Sequence, residues 1–217
     1  MQRKLSIPVY LSAFLISLVI FVTGIYIGTV IDTANLQDIS GEVSSVSEKV
    51  TSLQLLMLTE GNSSSFCPVY RSELDSIDQE VENIGYKLSY LEDERQVFDS
   101  ELKKKYFLVE AESYLLSSKV NELCGERSVL LIHFYSNKGC ERCREQGPEV
   151  LKARDGLVAQ GVDIKLFSFD GELGSPVAES FERQYSVTSY PSIVIDGKTY
   201  PGFKTSEEII ALVKGSR

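Results

Sequence analysis

The 217-residue sequence contains one histidine, His133. That scarcity makes multi-histidine metal centres and histidine-based hydrolase triads hard to build, and no glycine-rich phosphate loop is visible. Cysteines number four: Cys67, Cys124, Cys140 and Cys143. A structural zinc site takes four ligands. Beyond the closely spaced pair Cys140 and Cys143 the chain offers only His133, Cys67 and Cys124, none at paired spacing, so no metal is expected. Basic residues are also in short supply. The net charge is −9, and residues 32–124 carry 8 basic against 18 acidic side chains. Nucleic acid needs Lys and Arg to neutralise its phosphates, so a nucleic-acid partner is not expected.

A different absence marks the N-terminus. From Ser6 to Ile31 there is no charged residue in 26 positions, and about 20 helical residues suffice to cross a bilayer core. A cleavable signal peptide is the other reading, but its apolar core is about 7 to 15 residues and ends at a small-residue cleavage site. Residues 1–31 are therefore expected to be a cytoplasmic N-terminus and a retained single-pass transmembrane anchor. Arg3 and Lys4 precede the run and Asp32 follows it, so the positive-inside bias puts the N-terminus in the cytoplasm and everything from Asp32 onward outside it.

Residues 32–124 read as an acidic, all-α stalk. Leu36, Ile39, Val43, Val46, Val50, Leu53 and Met57 alternate spacings of three and four, which is a coiled-coil seam. A second seam, after the breaker at 60–68, runs Leu74, Ile77, Val81, Ile84, Leu88 and Leu91. A third and less regular one includes Leu102, Tyr106, Val109, Leu116 and Leu123. Helices are expected near 34–59, 69–97 and 100–123, with Asp99 or Ser100 as an N-cap and a continuous second and third helix as the alternative. Antiparallel pairing of the last two helices would bring Cys67 and Cys124 to one end, where a disulfide would staple them. A bridge to a second chain stays open, as does a homodimer through the stalk. Asn62, Ser63 and Ser64 fit the N-glycosylation pattern.

After Gly125 the pattern changes to βαβ followed by αββα, with an Asp196–Gly197 turn between the last two strands. Cys140 and Cys143 fall at the first strand-to-helix junction, the setting that marks Cys-x-x-Cys as a redox motif. Pro148 lies five residues after Cys143, Pro191 stands directly before the third strand, and Gly202 lies in a "YPGF" segment before the last helix. On these residues the segment 125–217 resembles the thioredoxin superfamily. The resemblance implies an α/β thioredoxin-like domain with a central mixed sheet, carried on the helical stalk and the transmembrane helix. Pro191 would be the cis-proline facing the cysteine pair, and Tyr190 beside it would tune which substrates fit.

A helix N-terminus favours an anion, which makes Cys140 the expected nucleophile and Cys143, one turn further in, the resolving thiol. Between them Arg142 should lower the thiolate's energy and Glu141 raise it. His133 lies near the position of thioredoxin's buried acid, one residue out of step, where it would either shuttle the proton of Cys143 or serve as a core residue. The expected function is a membrane-anchored, extracytoplasmic thiol–disulfide oxidoreductase, similar to Dsb-type proteins, acting on protein thiols and disulfides. Its only redox group would be the Cys140–Cys143 disulfide, with no further cofactor, and the resemblance implies a membrane redox protein as electron partner. The rival is a non-catalytic membrane-tethered interaction or scaffold module. The presence of both cysteines of the pair speaks against it.

Overall fold

The computed structural model describes residues 7–59 and 64–216. The charges at Arg3 and Lys4 and the Asn62–Ser63 part of the glycosylation pattern lie outside the described residues. The first helix, α1 (Ile7–Thr59), runs without interruption from the apolar run into the first stalk seam. From the sequence, the anchor and the helix near 34–59 are expected as separate pieces. They are one helix, because no proline follows Pro8 within it and the apolar seam begins within two turns of the last residue of the run. Among the described residues, this helix alone is long and apolar enough to cross a membrane. Its large apolar side chains from Val9 to Ile31 are exposed.

The helices α2 (Cys67–Asp93) and α3 (Ser100–Cys124) form an antiparallel hairpin. Residues 94–99 turn the chain, with Gln96 at φ 55°. Asp99 then caps α3, its carboxylate accepting from the backbone N–H of Glu101 and Leu102 at 3.0 Å each. A side-chain acceptor at this position satisfies amides that have no partner inside the helix. The seam of α1 is buried within the same chain, with Ile39, Val43, Val46, Val50 and Leu53 in one core with Leu74, Ile77, Val81, Ile84, Leu88 and Leu91 of α2. The stalk is therefore a three-helix bundle, whose expected coiled-coil seams meet in cis. Cys67, the first residue of α2, is bonded to Cys124, the last of α3.

The remaining elements are β1 (Val129–Tyr135), α4 (Glu141–Val158), β2 (Ile164–Asp170), α5 (Pro176–Tyr185), β3 (Ser192–Ile195), β4 (Lys198–Pro201) and α6 (Ser206–Ser216). The sheet order is β2-β1-β3-β4, with β1 parallel to β2 and antiparallel to β3. Both faces of β1 are covered, which its apolar run, interrupted only by His133, requires. On one face Val129 and Leu131 pack with Val150 and Leu157 of α4 and Ile209 of α6. On the other, Leu130, Ile132 and Phe134 share a core with Phe107 and Tyr114 of α3 and Phe181 of α5. The Asp196–Gly197 turn has positive φ at both residues, 47° and 82°, the geometry of a two-residue hairpin.

Helix α3 thus belongs to the stalk and to the α/β core at once. It also protects the sheet's edge strand β2: the Ser168 N–H donates to the Glu110 carboxylate at 2.7 Å. An uncovered edge would offer its backbone groups to other chains. Burial raises the Glu110 carboxyl to about 8, against the lowering effect of that N–H.

Candidate functional site

The site is built where β1 hands over to α4. Cys140 is the N-cap of α4 and its Sγ accepts from the Cys143 N–H at 3.2 Å. Cys140 and Cys143 are joined by a disulfide. The two sulfurs differ in access: Cys140 is partly exposed, whereas Cys143 is 6% exposed and accepts from the Ser136 N–H at 3.4 Å. Approach from solvent is therefore open only to the first sulfur. Pro148 lies inside α4 without ending it.

The loop at 136–139 is braced by the segment that follows β2. The Ser136 hydroxyl donates to the Glu172 carboxylate and accepts from the Lys138 N–H at 2.9 Å, and Lys138 Nζ donates to the Glu172 carbonyl at 2.9 Å. Ser136 and Glu172 are not among the site residues expected from the sequence. The serine opening a glycine-containing loop is a local turn signal, but nothing local marks a glutamate distant in sequence as its partner.

The peptide bond between Tyr190 and Pro191 is cis. Pro191 is buried at the head of β3, and its carbonyl accepts from the Gly202 N–H at 2.8 Å. Tyr190 is partly exposed and its hydroxyl donates to the Glu182 carboxylate on α5, directly over Gly171. Gln146, fully buried on α4, exchanges two hydrogen bonds with the backbone of Lys204, at 2.9 and 2.7 Å. That tie brings Phe203 beside the site. Gln146 and Phe203 also escape sequence reasoning.

Glu141 and Arg142 are exposed on the first turn of α4. The Arg142 guanidinium pairs with Glu145 at 2.6 Å and lies 4.8 Å from the Phe203 ring centre. Its charge is thus shared with a carboxylate and a ring. His133 is 5% exposed on the α4 side of β1, stacked on Tyr135 at 5.5 Å, with no hydrogen-bond partner at Nε2. Burial lowers it to about 4, so the imidazole is neutral near pH 7.

A half-exposed sulfur at a helix N-terminus, bonded to a buried one, suits thiol–disulfide exchange: the outer sulfur is attackable and the inner one is positioned to return. No protein-family model matches the sequence. The chain is similar to protein disulfide-isomerase of Oryctolagus cuniculus, 31% identical over 107 residues, covering 46% of this chain and 20% of that protein. It spans about one fifth of the length of that curated relative. Among solved structures it is similar to thioredoxin-2, described as a component of malaria parasite protein secretion machinery, at 29% identity over 41% of this chain and 82% of that one, TM-score 0.33. It is also similar to the first thioredoxin domain of mouse protein disulfide-isomerase A4, at 24% identity over 45% and 69% of the two chains, TM-score 0.34. With its β2-β1-β3-β4 mixed sheet, the cysteine pair at the first strand-to-helix junction and the cis-proline at the head of β3, the C-terminal part of the protein has a thioredoxin-like fold.

Proposed function

We propose that the protein is a membrane-anchored thiol–disulfide oxidoreductase whose Cys140 and Cys143 exchange disulfides with protein thiols. The observation that carries this reading is the asymmetry of the pair: Cys140 caps α4 and is partly exposed, while Cys143 is buried. Unpaired amides at a helix start stabilise a thiolate. In the reduced protein, Cys140 attacks a substrate disulfide, forming one S–S bond as another breaks and its leaving sulfur takes up a proton. Cys143 then attacks Cys140, releasing the second substrate sulfur and leaving the internal disulfide, so two electrons pass to the substrate. The reverse sequence oxidises a substrate dithiol. Pro191 and Tyr190 line the approach to the pair, Glu141 and Arg142 tune its charge environment, and no cofactor beyond the disulfide takes part.

The apolar part of α1 is the anchor in this reading, with the N-terminus cytoplasmic and the body outside, and a membrane redox protein turns the pair over. Cys140→Ser should abolish exchange, whereas Cys143→Ser should accumulate a trapped mixed disulfide. The full chain showing no exchange with a model disulfide would overturn the reading. Loss of the protein from membranes on carbonate washing would overturn the anchor alone.

A further inference from the structure

We infer that the cysteine pair opens toward the bilayer, so that its partner is a cysteine or disulfide of a membrane-embedded protein held at headgroup level. This rests on the proposed anchor and exchange chemistry and adds the height and direction of the site. The argument begins with α1. Because the helix is continuous from Ile7 to Thr59, the body is joined to the apolar run by a helical connection, not by a linker. The apolar run ends at Ile31, and Asp32 is the first charge beyond it. The tip of the α2–α3 hairpin reaches down to this level: Arg95 donates to the Asp32 carboxylate through Nε at 3.2 Å and Nη2 at 3.0 Å.

Side-chain contacts then align the sheet with the bundle. Far from the membrane, beside the Cys67–Cys124 bridge, Arg71 of α2 pairs with Glu126. Lys165, near the start of β2, pairs with Asp78 of α2 and lies 3.6 Å from Asp75. Midway, Glu110 of α3 holds the Ser168 N–H. At the membrane end, Lys103 pairs with Glu92 at 2.5 Å and sits 5.6 Å from the Tyr135 ring centre, at the last residue of β1. From Asp78 to Glu92 an α-helix descends about 21 Å. From Lys165 to Asp170 a strand descends about 17 Å. The two run the same way, so the C-terminal ends of β1 and β2 point at the membrane.

Cys140 follows Tyr135 by five residues and shares that end. Glu92 and Arg95 are three residues apart, a span of at most about 11 Å, which puts the membrane end of β1, and with it the pair, on the order of 10 Å from the level of Asp32. Two exposed aromatics stand at the same end, Tyr90 at 57% and Phe98 at 53% exposure. Rings of this kind suit the headgroup layer. A site held near the surface by a stiff support meets membrane-bound sulfur at high effective concentration, and one that cannot span the gap does not meet it at all.

The test uses the full chain carrying Cys143→Ser, reduced, in phosphatidylcholine vesicles with the body outside. Two transmembrane peptides are added, each with one cysteine activated as a mixed disulfide with thionitrobenzoate. One carries it at headgroup level and the other about 40 Å further out on a rigid helical spacer. Attack by Cys140 forms the protein–peptide disulfide and releases thionitrobenzoate, read by its absorbance. The headgroup-level peptide should be captured at least about tenfold faster. Inserting seven helical residues between Ile31 and Asp32 lifts the body by about 10 Å. That variant should lose most of the headgroup-level rate while reacting normally with a soluble aromatic disulfide. Equal capture of the two peptides, or faster capture on the spacer, overturns the inference. Failure to react with the soluble disulfide overturns instead the exchange chemistry on which it rests.

Discussion

The backbone N–H of Ser136 points at Sγ of Cys143 from 3.4 Å, and the same serine's hydroxyl is bound to the Glu172 carboxylate. With Cys140 as thiolate, the reduced pair carries a negative charge beside this N–H that the disulfide lacks, so the clamp favours the reduced pair. Glu172→Ala should make the reduction potential more negative. Loss of one hydrogen bond's worth of positioning, about 1 kcal/mol, corresponds to roughly 20 mV for a two-electron couple. Equilibration against glutathione buffers reads the shift, and Glu172→Gln should recover part of it. An unchanged potential would remove Glu172 from the site.

Tyr190 is packed over Gly171, and a β-carbon added there would meet the Tyr190 hydroxyl and the Glu182 carboxylate. Gly171→Ala should push the ring out of place and slow exchange with a peptide substrate by about fivefold, the equivalent of about 1 kcal/mol. Exchange with a small disulfide that does not reach Tyr190 should hardly change. Equal slowing of both would mean that the substitution damages the fold and not the substrate groove.

The Cys67–Cys124 bridge spans a sequence separation of 57. Closing a loop of this length restricts the unfolded chain and contributes about 4 kcal/mol. Replacing both cysteines by alanine should lower unfolding stability by that order in urea titrations. In mild reductant this bridge should outlast the Cys140–Cys143 pair, a difference that peptide mapping would read.

Glu110 makes stability depend on pH. Its folded value is raised to about 8 from an ordinary 4.5, chiefly by burial. Between those values the folded chain retains a proton that the unfolded chain has lost, so this carboxyl makes stability fall as pH rises through the window. Glu110→Gln keeps an acceptor for the Ser168 N–H and removes the titration. Its melting temperature should gain on the wild type between about pH 5 and about pH 8. Parallel pH profiles for the two proteins would show that Glu110 does not titrate there.

Several local features could be read from the sequence because their causes are local. An apolar run, a glycine and Cys140 ahead of a helical pattern place a sulfur on a helix N-terminus wherever the helix goes. The Asp196–Gly197 pair suits the positive φ that its hairpin turn demands. The acidic cap at Asp99 starts α3 by holding amides two and three residues ahead of it. The third seam is where local reading fails, and the reason is visible on α3. Its buried residues include Leu102, Tyr106, Phe107, Tyr114 and Leu116, too wide a set for one stripe, because the helix packs on α1 and α2 with one side and on the sheet with another. A pattern serving two neighbours shows the clean period of neither. The pairing of Ser136 with Glu172, of Arg95 with Asp32 and of Lys103 with Glu92 likewise joins segments that share no periodicity. Hence the sequence alone determined that the chain carries an apolar anchor-length run and a helix-capping cysteine pair. Which way that pair faces was decided only in the tertiary structure, by the side chains that lock the sheet against the helical bundle.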